Sequence, residues 1–335
     1  MSTMFKSLAA ALAIFFASAV LPASAQYNNF NPTKEAVQED QLLNQLKQGD
    51  RLSGRISIPD ATAANLIQPQ GQDWRNIHQN KLPLIGGVAI FGMLLALLVF
   101  YLVRGRIMVD HGLSGQTITR FAGLDRFTHW LTAGCFIILA LSGLNLSFGR
   151  MVILPLFGAE TFASLTGYGK LAHNYLAFPF MVGLALMLLL WVKDNIPNKV
   201  DLEWIKQGGG LFSKGKHPPA KRFNAGQKAV FWIVIIGGVV MSLSGWFLLF
   251  PYMVTDGVSG LQLWTTIHAV LGVVFVAAML AHAYIGSVGM EGAFDAMSNG
   301  EVDLNWAKEH HSLWVEEEMA KGKTPAVPPR AMPAE

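Results

Sequence analysis

Five stretches of the chain, approximately 83–103, 127–148, 171–192, 229–250 and 263–288, stay apolar for more than 20 residues and contain no Asp, Glu, Lys or Arg. About 20 apolar residues in a helix cross the roughly 30 Å hydrocarbon layer of a bilayer. Only a helix or a closed barrel satisfies its backbone there. The pattern predicts an all-α integral membrane protein with five transmembrane helices. An earlier apolar stretch, Leu8 to Val20, is too short to span comfortably. It follows Lys6 and ends at Pro22-Ala23-Ser24-Ala25, the order of a secretory signal peptide over residues 1–25. Residues 26–82 are polar, rich in Asn and Gln, with few large apolar residues besides Trp74. They are read as an extracytoplasmic tail, partly disordered.

Charge sets the expected orientation. Arg104, Arg106, Arg120 and Arg126 lie between the first and second stretches. Lys193, Lys199, Lys206, Lys214, Lys216, Lys221, Arg222 and Lys228 lie between the third and fourth. The other two connections are poor in basic residues: Arg150 and Lys170 flank one, and 251–262 has none. Basic connections stay in the cytoplasm, so the mature N-terminus is expected outside and the C-terminus inside. The signal peptide leads to the same topology from different residues. The expected organisation is a signal peptide (1–25), a polar tail (26–82), one extra helix (83–103), a cytoplasmic loop (104–126), a four-helix core (127–288) and a cytoplasmic tail (289–335).

Composition agrees. Of 335 residues 52% are hydrophobic and only 14% charged, against about 25% charged in soluble domains. A net charge of +3 gives no reason to expect nucleic acid. The single cysteine, Cys135, lies in an apolar run, which excludes an intramolecular disulfide and a Cys-ligated iron–sulfur cluster or zinc site in this chain. No glycine-rich nucleotide motif occurs.

The candidate chemistry lies in four histidines at membrane depth, His129, His173, His268 and His282. An ionisable residue there reads as functional by default, although a single one can serve as an interhelical hydrogen-bonding group. Depth sorts the four. His129 begins a stretch that starts inside, and His282 lies near the end of one that finishes inside. His173 and His268 come early in stretches that start outside. The result is an inner pair, His129 with His282, and an outer pair, His173 with His268. His268 and His282 are 14 residues apart, which puts them about 21 Å apart on one side of a helix. Two imidazoles on opposite sides of a plane suit a six-coordinate heme iron, which transfers electrons and has no open site. Without a CxxCH motif the heme is b-type and non-covalent. Gly134, Gly143, Gly183 and Gly272 either admit a macrocycle or simply allow close helix packing. His78, His111, His217, His310 and His311 read as solvated loop histidines.

The segments Arg126-Phe127-Thr128-His129-Trp130, Gly169-Lys170-Leu171-Ala172-His173, Phe223-Asn224-Ala225-Gly226-Gln227-Lys228, Ile267-His268-Ala269 and Ala281-His282-Ala283-Tyr284 resemble the gamma subunit of formate dehydrogenase. Asp194-Asn195-Ile196-Pro197 and Glu309-His310-His311-Ser312-Leu313-Trp314 extend the match over about residues 120–315. The resemblance implies a four-helix transmembrane bundle holding two hemes b, ligated by His129/His282 and His173/His268. It also implies a quinone site near the inner heme, at Asn224 and Gly226. The implied partners are an iron–sulfur beta subunit and a molybdenum- or tungsten-pterin catalytic alpha subunit, in the bacterial inner membrane. Electrons would pass inward to quinone, with protons taken from the cytoplasm and formate oxidised elsewhere in the complex. Residues 1–119 depart from the compact pattern of that family. The cytochrome b subunits of nickel–iron hydrogenase and thiosulfate reductase share a similar core. A transporter would show carboxylates or broken helices along a path, and no apolar stretch carries a carboxylate. A passive anchor would explain the helices but not the matched depths.

Overall fold

The computed structural model describes residues 71–211, 215–254 and 256–326. The expected signal peptide and most of the polar tail lie outside the described residues. The main elements are α1 (Leu82–Arg104), β1 (Thr117–Thr119), α2 (Gly123–Trp191), α3 (Lys199–Lys206), α4 (Ala225–Leu249), α5 (Gly257–Ile285), β2 (Glu301–Asp303), α6 (Leu304–His310) and α7 (Ser312–Ala320). Four helices, α1, α2, α4 and α5, are long and apolar enough to cross a membrane. The chain is an all-α integral membrane protein. Phe91, Leu102 and Val103 on α1 are each more than 70% exposed, a surface that lipid covers at no cost and water would not.

Two of the five expected spans lie in α2, a 69-residue helical run broken at Gly158 (φ 82°, ψ 171°). Only glycine adopts this conformation readily. The halves on either side run antiparallel. Trp191 Nε1 donates to Asp125 Oδ1 (2.5 Å), and Asn145 Nδ2 donates to Thr166 Oγ1 (3.2 Å). The expected spans stopped at 148 and resumed at 171, but helix continues through both positions to the break. Once a span has nucleated, each added residue gains a hydrogen bond, so the reversal is confined to one glycine.

Gly183 lets the halves close. A Cβ there would meet Thr132 Oγ1 and lie 3.3 Å from Thr132 Cα. Backbone cannot swing away as a side-chain tip can. Gly183→Ala is therefore expected to destabilise the bundle by roughly 1–3 kcal/mol, read as a lower thermal midpoint in detergent, whereas Ala at Gly134, which has open space around it, is expected to be silent.

α1 packs chiefly on α5, and Gly86 lets it approach Phe148 and Val273. Its helical run begins earlier than the expected span: helix Gly71–Asn76 and a π-helical turn, Ile77–Lys81, lead into it. The last residues of the expected polar tail, from Gly71 on, are thus helical. Polar residues extend a helix that the span has nucleated, with Trp74 at its start, a residue suited to the membrane–water interface.

The segments 105–122, 192–211, 215–224 and 286–326 assemble on one side of the bundle, as five spans require. β1 pairs antiparallel with β2, with Ile118 opposite Val302. Arg104 Nε donates to Leu211 O (2.9 Å). The Glu309 carboxylate accepts from the backbone N–H groups of Asp110 and His111 and from the His111 ring. Burial alone would raise the Glu309 pKa, but these bonds prevail and hold it below the usual range. Phe121, Trp191 and Phe223 form the core between this assembly and α2, with ring centroids 5.9–6.0 Å apart.

The expectation that all five remaining histidines are solvated is corrected here. His311 is 1% exposed. Its Nδ1 donates to Lys221 O (2.8 Å), and its Nε2 accepts from Arg120 Nη2 (3.0 Å). Arg120 is itself buried against Phe121, Trp306 and Trp314. Burial, with the charge of Arg222, pulls its pKa down to about 9. This burial has no local signature in the chain because the wall comes from three distant segments. Burial first, then the Arg120 charge, holds the His311 pKa well below its ordinary value. His310 and Arg222 are the other charged or titratable groups nearby, and among the described residues no carboxylate contacts the His311 ring.

A depressed folded-state pKa in a histidine means that its contribution is intact above the unfolded pKa of about 6.5 and is lost as pH falls below it. The protein should lose stability on acidification from pH 7.5 to 5, approaching about 1.4 kcal/mol per unit below that value. His311→Gln can keep both hydrogen bonds and should flatten the dependence. An unchanged slope in the variant's thermal midpoints would reject the assignment.

Candidate functional site: two facing histidine pairs

The four membrane-depth histidines meet in the two expected pairs. His129 faces His282 with ring centroids 6.3 Å apart and planes at 59°. His173 faces His268 at 6.1 Å and 68°. Each half of α2 supplies one ring, and α5 supplies the partner of both. His129 is also flanked edge-on by Trp130 (5.0 Å, 88°), whose indole N–H is held by Met297 O (2.8 Å).

The separation decides what the pairs can hold. A direct N–H···N hydrogen bond of about 2.9 Å between opposed rings would bring centroids to about 5.1 Å. Two imidazoles bound end-on to one metal at about 2.0–2.1 Å, with each ring nitrogen about 1.1 Å from its centroid, place centroids about 6.2–6.4 Å apart. The His129/His282 separation of 6.3 Å falls in the second range, and the His173/His268 separation of 6.1 Å lies just below it and well above the first. Among the described residues no group of three or more His, Cys, Asp or Glu is placed to hold a metal ion. Two nitrogens alone leave a bare zinc or copper ion under-coordinated. They suit a prosthetic group that brings its own equatorial ligands.

The third position in each ring environment differs. His173 Nδ1 lies 2.9 Å from Ser142 Oγ, and His268 Nδ1 lies 2.8 Å from Ser244 Oγ. His129 Nδ1 is buried without a partner. Between the pairs sits an apolar layer. Phe136, Phe180 and Phe275 are each seven residues from a histidine on their own helix, so they share its face. Their centroids lie 5.0 Å (Phe136–Phe275) and 6.4 Å (Phe136–Phe180) apart.

A family model described as prokaryotic cytochrome b561 matches residues 120–300, more than half of the chain. The chain belongs to this family. Among its relatives, the nitrate-inducible formate dehydrogenase cytochrome b556(Fdn) subunit of Escherichia coli (strain K12) is 30% identical over 212 residues, 62% of this chain and 95% of that protein. The cytochrome b556(fdo) subunit of formate dehydrogenase from the same strain is 28% identical over 204 residues, 60% and 93% respectively. The formate dehydrogenase cytochrome b556 subunit of Haemophilus influenzae is 24% identical over 200 residues, 58% and 80%. All four paired histidines fall inside the stretch matched to the cytochrome b561 family.

Asn224 and Gly226 lie at the start of α4. Asn224 Oδ1 accepts from Gln227 N (2.9 Å) and Gln227 Oε1 accepts from Asn224 N (3.1 Å), a reciprocal cap. A Cβ on Gly226 would lie 3.0 Å from the Trp204 ring, so local packing already requires this glycine. Neither residue makes a hydrogen bond to His129 or His282 among the described residues. Of the four glycines considered for a macrocycle, Gly143 lies beside a ring, its Cβ position 3.4 Å from His173 Cε1. Gly183 serves packing between the α2 halves, and Gly272 faces Met241 Cε at 3.5 Å. Ser142 and Ser244 were not singled out from the sequence. The signal available was the tripeptide Leu-Ser-Gly, at 141–143 and again at 243–245.

Proposed function

We propose that the chain is the membrane cytochrome b subunit of a formate dehydrogenase, with one heme b held by His129/His282 and a second by His173/His268. The observation that carries this reading is the pair of imidazole pairs, each at a ring separation suited to a shared metal and too wide for a direct hydrogen bond. When bound, the hemes supply a one-electron relay between an extracytoplasmic iron–sulfur subunit and membrane quinone. The four imidazoles would hold the two groups, and the Phe136/Phe180/Phe275 layer would keep water from the space between the pairs. Asn224 and Gly226 are the candidate quinone contacts. The cap uses Asn224 Oδ1, which leaves its amide nitrogen to face a quinone carbonyl. Protons for the quinol come from the cytoplasm. The catalytic partner carries a molybdenum- or tungsten-pterin centre.

The proposed setting is the bacterial inner membrane with the mature N-terminus outside. The basic segments 104–126 and 193–228 would then be cytoplasmic, and their shared assembly fits one compartment. Residues 1–25 act as the signal, α1 is an addition to the core, and 127–288 form the di-heme bundle. In membranes carrying His173→Ala, formate oxidation with a soluble dye should persist while formate-dependent quinone reduction falls to background. Full quinone reduction in that variant would overturn the proposal. Reduction driven by hydrogen or thiosulfate metabolism and not by formate would assign the same core to another dehydrogenase.

A further inference from the structure

The two histidine pairs differ in what stands behind the rings. Ser142 Oγ lies 2.6 Å from Ile138 O, and Ser244 Oγ lies 2.8 Å from Val240 O. A serine has one hydroxyl proton, and in each case the backbone carbonyl takes it. Toward the ring the oxygen can only accept, so Nδ1 of His173 and of His268 must donate. A neutral imidazole carries one N–H, so Nε2 of both rings is left with its lone pair free for a metal. The next residue completes the arrangement: a Cβ on Gly143 would lie 3.4 Å from His173 Cε1, and one on Gly245 would lie 3.2 Å from His268 Cε1. Leu141-Ser142-Gly143 and Leu243-Ser244-Gly245 thus present the same hydroxyl and the same clearance to two rings from two helices. His129 has no such serine, and its Nδ1 is buried without a partner.

We infer that Ser142 and Ser244 are positioning residues that fix the His173 and His268 tautomers and lower the reduction potential of the heme at this pair relative to the heme at His129/His282. This rests on the reading that both pairs ligate heme. An acceptor at Nδ1 draws the ring proton outward and makes Nε2 a stronger donor. A stronger axial donor favours the oxidised metal, and hydrogen bonding around the ligands is one of the levers that set heme potentials. With two such bonds at one site and, among the described residues, no serine bond to the His129 or His282 ring at the other, the electron runs downhill from the serine-backed pair to the other. The hydroxyls act beside the Leu139 and Met241 carbonyls, which also accept from the His173 and His268 rings, and together they bias the direction of transfer.

The test is a potentiometric titration of the purified full chain with its hemes bound, comparing wild type, Ser142→Ala, Ser244→Ala and the double variant. The component that survives in His129→Ala identifies the His173/His268 site. That component should move to a more positive potential by about threefold to tenfold in its reduction equilibrium per serine, tenfold being 59 mV for one electron, while the other component stays. Two retained hemes with unmoved potentials would overturn the inference. If the alanine variants lose the heme, Ser142→Thr and Ser244→Thr distinguish the causes. Retention at the wild-type potential supports the hydroxyl as the holder, and loss in the threonine variants as well reduces the serines to space-filling and overturns it. A wild-type chain without heme would overturn the heme assignment itself and this role with it, an outcome distinct from an unmoved potential.

Discussion

His129→Ala and His282→Ala should each remove the same one of the two proposed hemes, and His173→Ala and His268→Ala should each remove the other. The paired result follows from the geometry: each ring faces one partner, at 6.3 Å or 6.1 Å between centroids, and no ring is shared between pairs. Removing one ring would leave the proposed group held by a single imidazole in an apolar bundle, which has no further His, Cys, Asp or Glu grouped there among the described residues to replace it. The reduced-minus-oxidised b-type absorbance, with heme quantitation, should fall to about half in every single variant. Combining two variants of one pair should remove nothing more, whereas one from each pair should remove both hemes. That non-additivity is the diagnostic, because residues acting as a unit fail together. Folded variants that all keep two hemes would return the histidines to an interhelical bonding role, and the chain to a passive anchor.

The second large effect is expected away from the pairs, at Lys228. Its ammonium group donates to Asp201 Oδ2 (2.9 Å) and to Ile196 O (3.0 Å), with the lysine side chain 5% exposed and the aspartate 12%. Asp201 also accepts from Asn198 N, capping α3. Lys228→Met removes the cation and leaves a carboxylate in a closed site, a change that costs roughly 3–5 kcal/mol when one partner of a buried pair is lost. Thermal unfolding in detergent should show a large drop. Adding Asp201→Asn removes the stranded charge, can keep the cap acceptor, and should recover much of the loss. If the double variant is no better than the single, the pair is not the reason that Lys228 is buried.

Much of this architecture was legible before any coordinates. Charge-free apolar runs are forced into helices by the bilayer, so the spans could be read directly from the chain. The histidine pairing was legible for a similar reason. Depth in a membrane is a coordinate that sequence position supplies once the spans and their alternation are known. Other features depended on contacts between distant segments. His311 reads as a loop residue until Lys221 O and Arg120 close over it. Ser142 and Ser244 read as small polar residues in apolar helices until the facing ring is placed. The early start of the helical run at Gly71 was hidden because its residues are polar and gain their helicity from the span that follows.

α5 contributes one histidine to each pair, and this has a consequence for motion. The distance between the two sites is carried by fourteen covalently linked residues of one hydrogen-bonded helix, not by the packing of separate elements. The helices around it can shift, and α1 can lean on it or part from it, without changing that interval. In the proposed di-heme arrangement, the interval between the two sites would therefore be set by this single helix. A substitution that loosens the packing of α2 or α4 against α5 would then alter how a ring is gripped but not the spacing of His268 and His282 along α5.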